Sequence, residues 1–183
     1  MTKVLVLYYS RGGHTAQISR AIAQQIMASG AECDVVNIHD VKNNLEWSKY
    51  HAVALGACVL YGSYHKSVFR FVEQYQAQLA AIPNSFFCVN VVARKPEKRV
   101  PENNKYLQKF LLLSPWKPQD VKIIAGLVDY PSWRWYDSLM IRLIMKMTDG
   151  PTDPKAIIDY TDWQDVACYG EHILSLAQES TQA

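Results

Sequence analysis

The sequence predicts an α/β protein: a doubly wound, largely parallel five-stranded sheet with helices on both faces. Three observations predict it. Five β-like runs alternate with segments whose apolar residues recur three or four positions apart. The first run, residues 3–9, is an unbroken stretch of Val, Leu and Tyr after its leading lysine, the pattern of a strand covered on both faces. A turn containing Gly12 and Gly13 carries that run straight into a helical pattern, and strand–turn–helix units of this kind close into parallel sheets by right-handed crossovers.

The elements follow in order. After residues 3–9 and the turn, Ile18, Ala21, Ile22 and Ile26 share one helical face, and Gly30 ends that helix. Residues 33–38 read as the second strand and 52–60 as the third. A helix over 68–79, a strand over 86–92, a helix over 104–113 and a strand over 121–128 complete the alternation. A last helix over 161–177 has Asp162 near its positive end and Val166, Tyr169, Ile173 and Leu176 on one face. Between the fifth strand and this helix lies an insertion of about 30 residues, 130–160. Four of its first seven residues are aromatic. Ser132 is positioned to cap a helix ending at Met147, with Arg134, Ser138, Arg142 and Lys146 on a polar stripe and Tyr136, Met140, Leu143, Ile144 and Met147 opposite. Such a helix either packs on the sheet edge or forms a hydrophobic substrate wall, a dimer interface in a homo-oligomer, or a monotopic membrane face.

Length and composition fit one domain over residues 1–183. With 49% hydrophobic and 20% charged residues the chain is that of a folded protein, not a disordered one. A net charge of +2 argues against a general nucleic-acid binder. Cys33, Cys58, Cys88 and Cys168 are far apart and form no CxxC pair, which fits reduced thiols better than disulfides or zinc. The apolar run before Arg11 is too short for a signal peptide, and residues 52–62 are too few to span a bilayer.

Ligands of such sheets bind beyond the C-terminal strand ends, and four loops meet there. In the first, Ser10, Arg11, Gly12, Gly13, His14 and Thr15 form a glycine-bearing turn before a helix N-terminus, a cradle suited to phosphate. Arg11 stands either beside that anion or in solvent. The turn is neither a GxGxxG dinucleotide loop nor a GxxxxGK loop. The second loop carries Tyr61, Gly62, Ser63, Tyr64 and His65. Gly62 allows an unusual backbone angle, and the tyrosines either stack on a planar ring or close the sheet end. His65 is either a proton donor or substrate-anion contact, or a structural or solvated residue at a helix start. The third loop holds Asn90, Val91, Val92, Ala93, Arg94 and Lys95. Residues 94–109 contain six basic and two acidic residues, a local charge of +4, which leaves the rest of the chain at −2. Such a rim attracts carboxylates or anionic lipid heads. The fourth loop contains Trp133, Arg134, Trp135 and Tyr136. No metal cluster and no Ser-His-Asp arrangement is evident, so a cofactor is expected to carry any chemistry.

With its order of elements and its Ser10-Arg11-Gly12-Gly13-His14-Thr15 loop, the chain resembles flavodoxin-like FMN domains. Gly12 stands where those loops commonly carry a hydroxyl residue, so one side-chain phosphate contact is missing. More specifically, nearly the whole chain is similar to the bacterial flavodoxin-like protoporphyrinogen IX dehydrogenase family. The most specific stretches are Tyr61-Gly62-Ser63-Tyr64-His65, Val91 through Arg99, Arg134-Trp135-Tyr136-Asp137, Leu143 through Met147 and Thr161-Asp162-Trp163. Gly13 replaces an Asp frequent in that family, a change that leaves the amide cradle intact.

The resemblance implies a flavodoxin-like sheet of order 2-1-3-4-5 with a long insertion after or within strand five. It implies non-covalent FMN, with its phosphate on Ser10, Arg11, Gly12, Gly13, His14 and Thr15, and its ring between Tyr61-Gly62 and Asn90, Val91, Val92, Ala93, Arg94 and Lys95. It implies oxidation of protoporphyrinogen IX to protoporphyrin IX in haem biosynthesis, with electrons passed to ubiquinone or menaquinone at the cytoplasmic side of the bacterial inner membrane. Removing six hydrogens takes three rounds of a two-electron cofactor. His65, Arg94, Lys95, Trp133, Arg134, Trp135 and Tyr136 are the expected substrate or membrane contacts, and no side chain is assigned as catalytic acid or base. The competing readings are a flavodoxin electron carrier, an NAD(P)H:quinone reductase, and a flavin-free interaction scaffold.

Overall fold

The computed structural model describes residues 1–41, 45–147 and 150–182. Five parallel strands form the sheet: β1 (Lys3–Tyr9), β2 (Glu32–Asn37), β3 (Ala52–Cys58), β4 (Asn84–Asn90) and β5 (Asp120–Ala125), in the order β2-β1-β3-β4-β5. β1 is an interior strand, flanked by β2 and β3, and its Val4 through Leu7 are apolar on both sides and fully buried. Its Val4 sits in register between Cys33 of β2 and Ala52 of β3.

Alternate strand residues feed two cores. On one side, Ile18, Ile22 and Ile26 of α1 (His14–Ala28) and Val166, Tyr169 and Ile173 of α6 (Trp163–Gln182) cover Val4, Val6 and Ala54. Each such aliphatic side chain contributes roughly 1.5–3 kcal/mol on burial. On the other side, α2 (Lys66–Gln74), α3 (Gln76–Ala80) and α4 (Lys105–Leu113) cover Leu5, Leu7 and Phe86, with Phe86 and Phe110 stacked at 3.9 Å. Gly56 admits the ring of its register partner Phe87, whose Cζ would lie 2.0 Å from any Cβ placed there.

The structure corrects several expected boundaries. The 68–79 helix is two helices. Tyr75 at φ −111° ends α2 through its N–H to Phe71 O, and its carbonyl starts α3 by accepting from Leu79 N–H, while its ring packs between Phe71 and Trp47. β4 stops at Asn90, not residue 92, because the Asn90 side chain accepts from Ala93 N–H and begins a 3₁₀ turn. The 121–128 strand divides: β5 ends at Ala125, and β6 (Leu127–Asp129) leaves the sheet to pair antiparallel with β7 (Ile157–Asp159). The insertion therefore follows strand five and opens between β6 and β7; residues 148–149 within it lie outside the described residues. Ser132 does not cap the insertion helix. It lies in a 3₁₀ turn whose cap is Asp129, and α5 (Trp135–Met147) begins three residues later, with Arg134 O accepting from Ser138 N–H. The last helix starts at Trp163, where Asp162 Oδ1 accepts from Asp165 N–H.

α5 also turns the opposite way from its apolar wheel. Its buried residues are Asp137 and Met145, whereas Leu139, Met140, Leu143 and Met147 are exposed. Met145 inserts between Val128 and Tyr130, and Asp137 meets Arg11, so these two anchors set the rotation.

Candidate functional site

A cavity of about 530 Å³ opens where the C-terminal ends of β1, β3 and β4 meet the insertion. This volume is in the range of small-molecule and cofactor sites. Its floor is the 10–15 loop with Cys58, Asn90 and Gly126, and its far wall is Trp133, Arg134 and Ile141.

The loop has the chemistry of an anion cradle. Gly13, at φ +87°, occupies the N-cap of α1 in the left-handed region, and Cβ atoms built on Gly12 or Gly13 would meet nothing within 4 Å. The first turn of α1 carries no acidic residue, so the positive helix end is not neutralised from within. Ser10 Oγ is buried and has no hydrogen-bond partner among the described residues, and a phosphate oxygen is the type of acceptor that would satisfy it. The donor set thus fits a phosphate monoester such as that of FMN. Beneath it, burial pushes the Cys58 thiol above its ordinary pKa, only partly opposed by hydrogen bonds to the Arg11 backbone and the Thr15 side chain, so the floor is a neutral thiol.

The loop's two basic side chains both turn toward the insertion. Arg11 Nη2 donates to Asp137 Oδ2 at 3.3 Å, and the guanidinium carbon lies 5.8 Å from the centre of the Tyr61 ring. His14 Nε2 lies 2.7 Å from Thr161 Oγ1. The Thr161 hydroxyl donates to Ala125 O, which makes His14 Nε2 the donor of the pair. Asp159 stands 3.6 Å from the same ring. Burial acts to raise the Asp159 carboxyl, but hydrogen bonds from Thr161 and Trp163 and the neighbouring His14 hold it below its ordinary value.

The second loop is a tight turn, closed by reciprocal N–H···O bonds between Leu60 and Ser63. Gly62 has φ +75°, and Tyr61, a residue 43% exposed, is also left-handed, at φ +49°. A non-glycine residue held there costs on the order of 1 kcal/mol, strain that presents an aromatic face at the cavity mouth.

The expected site residues divide. Ser10, Arg11, Gly12, His14, Thr15, Asn90, Val91, Trp133 and Arg134 line the cavity. Gly13, Tyr61 and Gly62 shape its rim without lining it. Asn90 is a clip whose Nδ2 donates to Cys88 Sγ while its Oδ1 holds Ala93 N–H. Tyr64 O–H also donates to that sulfur, and burial carries the Cys88 thiol up to about 11. Ala93 is fully buried; Lys95 N–H donates to Val92 O, stiffening the turn. Arg94 donates to Val91 O and extends to Gly150 of the insertion, where an added Cβ would lie 3.0 Å from its Nη2. His65 stacks on Tyr9 at 5.0 Å and caps α2, outside the cavity wall; burial lowers its pKa. Trp135 is 78% exposed, and Tyr136 O–H accepts from Arg134.

Sequence reasoning missed Cys58, Gly126, Asp137, Ile141 and Asp159. Asp137 was the hardest to find, because an acid in the first turn of a helix is ordinarily explained by the helix dipole alone. Among the described residues no helix is long and apolar enough to cross a membrane, and no cluster suited to a metal ion occurs.

A glycine-turn cradle at the C-terminal edge of a 2-1-3-4-5 sheet is the arrangement of flavodoxin-like folds, and the chain belongs to the flavodoxin domain family, which matches residues 5–155. It is 41% identical over 179 residues to the protoporphyrinogen IX dehydrogenase [quinone] of Escherichia coli, covering 98% of both chains. It is 39% identical over 175 residues to the enzyme of the same name from Leishmania major, covering 95% of this chain and 75% of that one. Among solved structures, a Pseudomonas aeruginosa flavodoxin mutant superposes with a TM-score of 0.56 at 9% identity, covering 97% of this chain and 99% of that one, a likeness of fold.

Proposed function

We propose that this chain is an FMN-dependent protoporphyrinogen IX dehydrogenase that acts as one domain and passes electrons to ubiquinone or menaquinone. The observation that carries the reading is a phosphate cradle opening into a cavity walled by Trp133, Arg134 and Ile141 of the insertion, in a chain alike over its full length to enzymes of that name. A carrier that only exchanges electrons with other proteins has no use for a roofed substrate wall.

When bound, FMN supplies the two-electron acceptor. The protein residues do the rest. Ser10 Oγ, Thr15 and the backbone of residues 10–15 hold the phosphate. Tyr61 and Gly62 at the rim, and Asn90 and Val91 of the turn that runs on to Lys95, would flank its ring. Asn90, clipped to Cys88 and Ala93, keeps the third loop rigid. Arg134 lies at the wall, where a guanidinium suits a propionate carboxylate. Arg94 and Lys95 brace the third loop, and His65, stacked on Tyr9, holds the end of the second. Trp133, Ile141 and the rest of the insertion exclude water.

The outward residues of α5 supply the membrane contact. Trp135, Leu139, Leu143 and Met147 are exposed beside Arg134, Arg142 and Lys146, the make-up of a helix lying on an anionic lipid surface. Such a contact supports the reading of a peripheral enzyme at the cytoplasmic side of the inner membrane, in reach of quinone.

The test is anaerobic mixing of FMN-loaded protein with protoporphyrinogen IX, followed by a quinone. Loss of the oxidised-flavin absorbance and its return on quinone addition are expected. Flavin that ignores protoporphyrinogen but is reduced rapidly by NAD(P)H would overturn the reading in favour of an NAD(P)H:quinone reductase.

A further inference from the structure

Helix α5 buries only Asp137 and Met145 of its 13 residues, so hydrophobic burial alone holds it weakly. A polar contact ties it to the cofactor loop: Arg11 Nη2 donates to Asp137 Oδ2 at 3.3 Å, across 126 positions of sequence. This contact is a single, long bond and not the two-pronged guanidinium–carboxylate pair. The other carboxylate oxygen, Oδ1, is buried without a partner among the described residues. A guanidinium has five N–H donors, and Arg11 lines the same cavity as Ser10 and Thr15. The far end of the insertion is pinned separately by His14, through Thr161 and Asp159.

We propose that Arg11 and Asp137 are positioning residues that couple occupancy of the anion cradle to the placement of α5. The proposal rests on the reading of residues 10–15 as a phosphate site. A phosphate monoester in the cradle engages the spare guanidinium donors, immobilises Arg11 and thereby tightens its hold on Asp137, drawing α5 over the cavity. The opposite sign is disfavoured by charge. Stripping Arg11 from Asp137 would leave a buried carboxylate with no partner beside a second anion. The coupling is reciprocal, so α5 held by Asp137 presents Arg11 to the phosphate.

The experiment is hydrogen exchange of the full chain, read over Trp135–Met147, without ligand and with saturating FMN or inorganic phosphate. Flavin occupancy is read independently by fluorescence quenching. In the wild type, either ligand is expected to slow exchange of α5 by roughly fivefold or more. Asp137→Asn is expected to keep FMN bound yet lose the ligand-dependent slowing. Arg11→Gln, a change at an exposed loop position that carries the test even if the Asn variant does not fold, is expected to lose it too, and the double variant no further. A purely structural pair would lower protection equally with and without ligand and leave their ratio unchanged. The proposal is overturned if α5 exchange in the occupied wild type is unchanged or faster, or if Asp137→Asn keeps the wild-type ratio. If FMN is not quenched but phosphate still slows α5, the flavin reading fails and the coupling stands. If neither ligand slows it, the coupling fails.

Discussion

Replacing Ser10 by alanine separates cofactor binding from folding, because the two effects have opposite signs. Ser10 Oγ is buried and makes no hydrogen bond among the described residues. A buried hydroxyl left unsatisfied costs about 1–3 kcal/mol. Ser10→Ala removes that cost and is expected to leave the FMN-free protein as stable as the wild type or up to about 1 kcal/mol more stable, a rise in Tm of roughly 2–4 °C for a chain of this length. With FMN bound, the same hydroxyl donates to a charged phosphate, and a hydrogen bond to a charged group is worth about 1.5–3 kcal/mol. The affinity of the alanine variant for FMN should therefore fall about ten- to a hundredfold. Thermal melts of the apoprotein and flavin fluorescence titrations measure the two quantities on the same preparation. An apoprotein destabilised by more than about 1 kcal/mol would mean that Ser10 already has a structural partner. Unchanged FMN affinity would mean that the phosphate lies elsewhere. Either result refutes the reasoning.

Three further perturbations follow from the same geometry. Tyr61→Gly relieves a left-handed backbone (φ +49°), so the apoprotein should gain up to about 1 kcal/mol in urea unfolding while FMN affinity falls with loss of the exposed ring; a destabilised variant would contradict the strain assignment. Gly56→Ala drives a Cβ to 2.0 Å from Phe87 Cζ and should cost about 2–3 kcal/mol by overpacking, seen as a lower urea midpoint with unchanged slope; a neutral result would mean that the β3–β4 core yields easily. The Asp159 carboxyl lies below its ordinary value of 3.8 in the folded state, so its stabilising contribution is complete above that value and is lost as pH falls through the lower folded value. Asp159→Asn should therefore flatten the acid limb of the stability–pH curve below about pH 4, and acid titrations that superpose for the two proteins would refute the linkage.

Much of the fold was legible because local pattern and global topology agree. The continuous apolar run of β1 demands cover on both faces, and the sheet supplies it, with Lys3–Tyr9 matching the expected strand throughout. The isoleucines of α1 fall on one face and are all buried. Two of the misjudged boundaries are closed by side chains and the third by backbone pairing with a distant strand. Tyr75 splits a helix by packing its ring, Asn90 ends β4 by capping a turn, and β7 captures the continuation of β5. None of these partners is near in sequence in a way that periodicity detects.

At the site the division runs between backbone and side chain. Glycines ahead of a helix mark an anion cradle from composition alone, since few other residues adopt such a turn. The direction of Arg11 and His14 was not legible there, because their partners Asp137, Asp159 and Thr161 lie 126 to 147 positions away and are brought in only when β6 pairs with β7. The rotation of α5 was likewise hidden. Its hydrophobic wheel points Leu143 and Met147 inward, whereas Met145 and the Asp137–Arg11 pair turn them to the surface. The sheet, its two covered faces and the glycine turn before α1 were legible in the chain because they depend on periodicity and on backbone freedom. Only the tertiary structure decided which charges meet across the cavity and which face of the insertion is left outside, because long-range pairing and the burial of single residues override the average hydrophobicity of a helix.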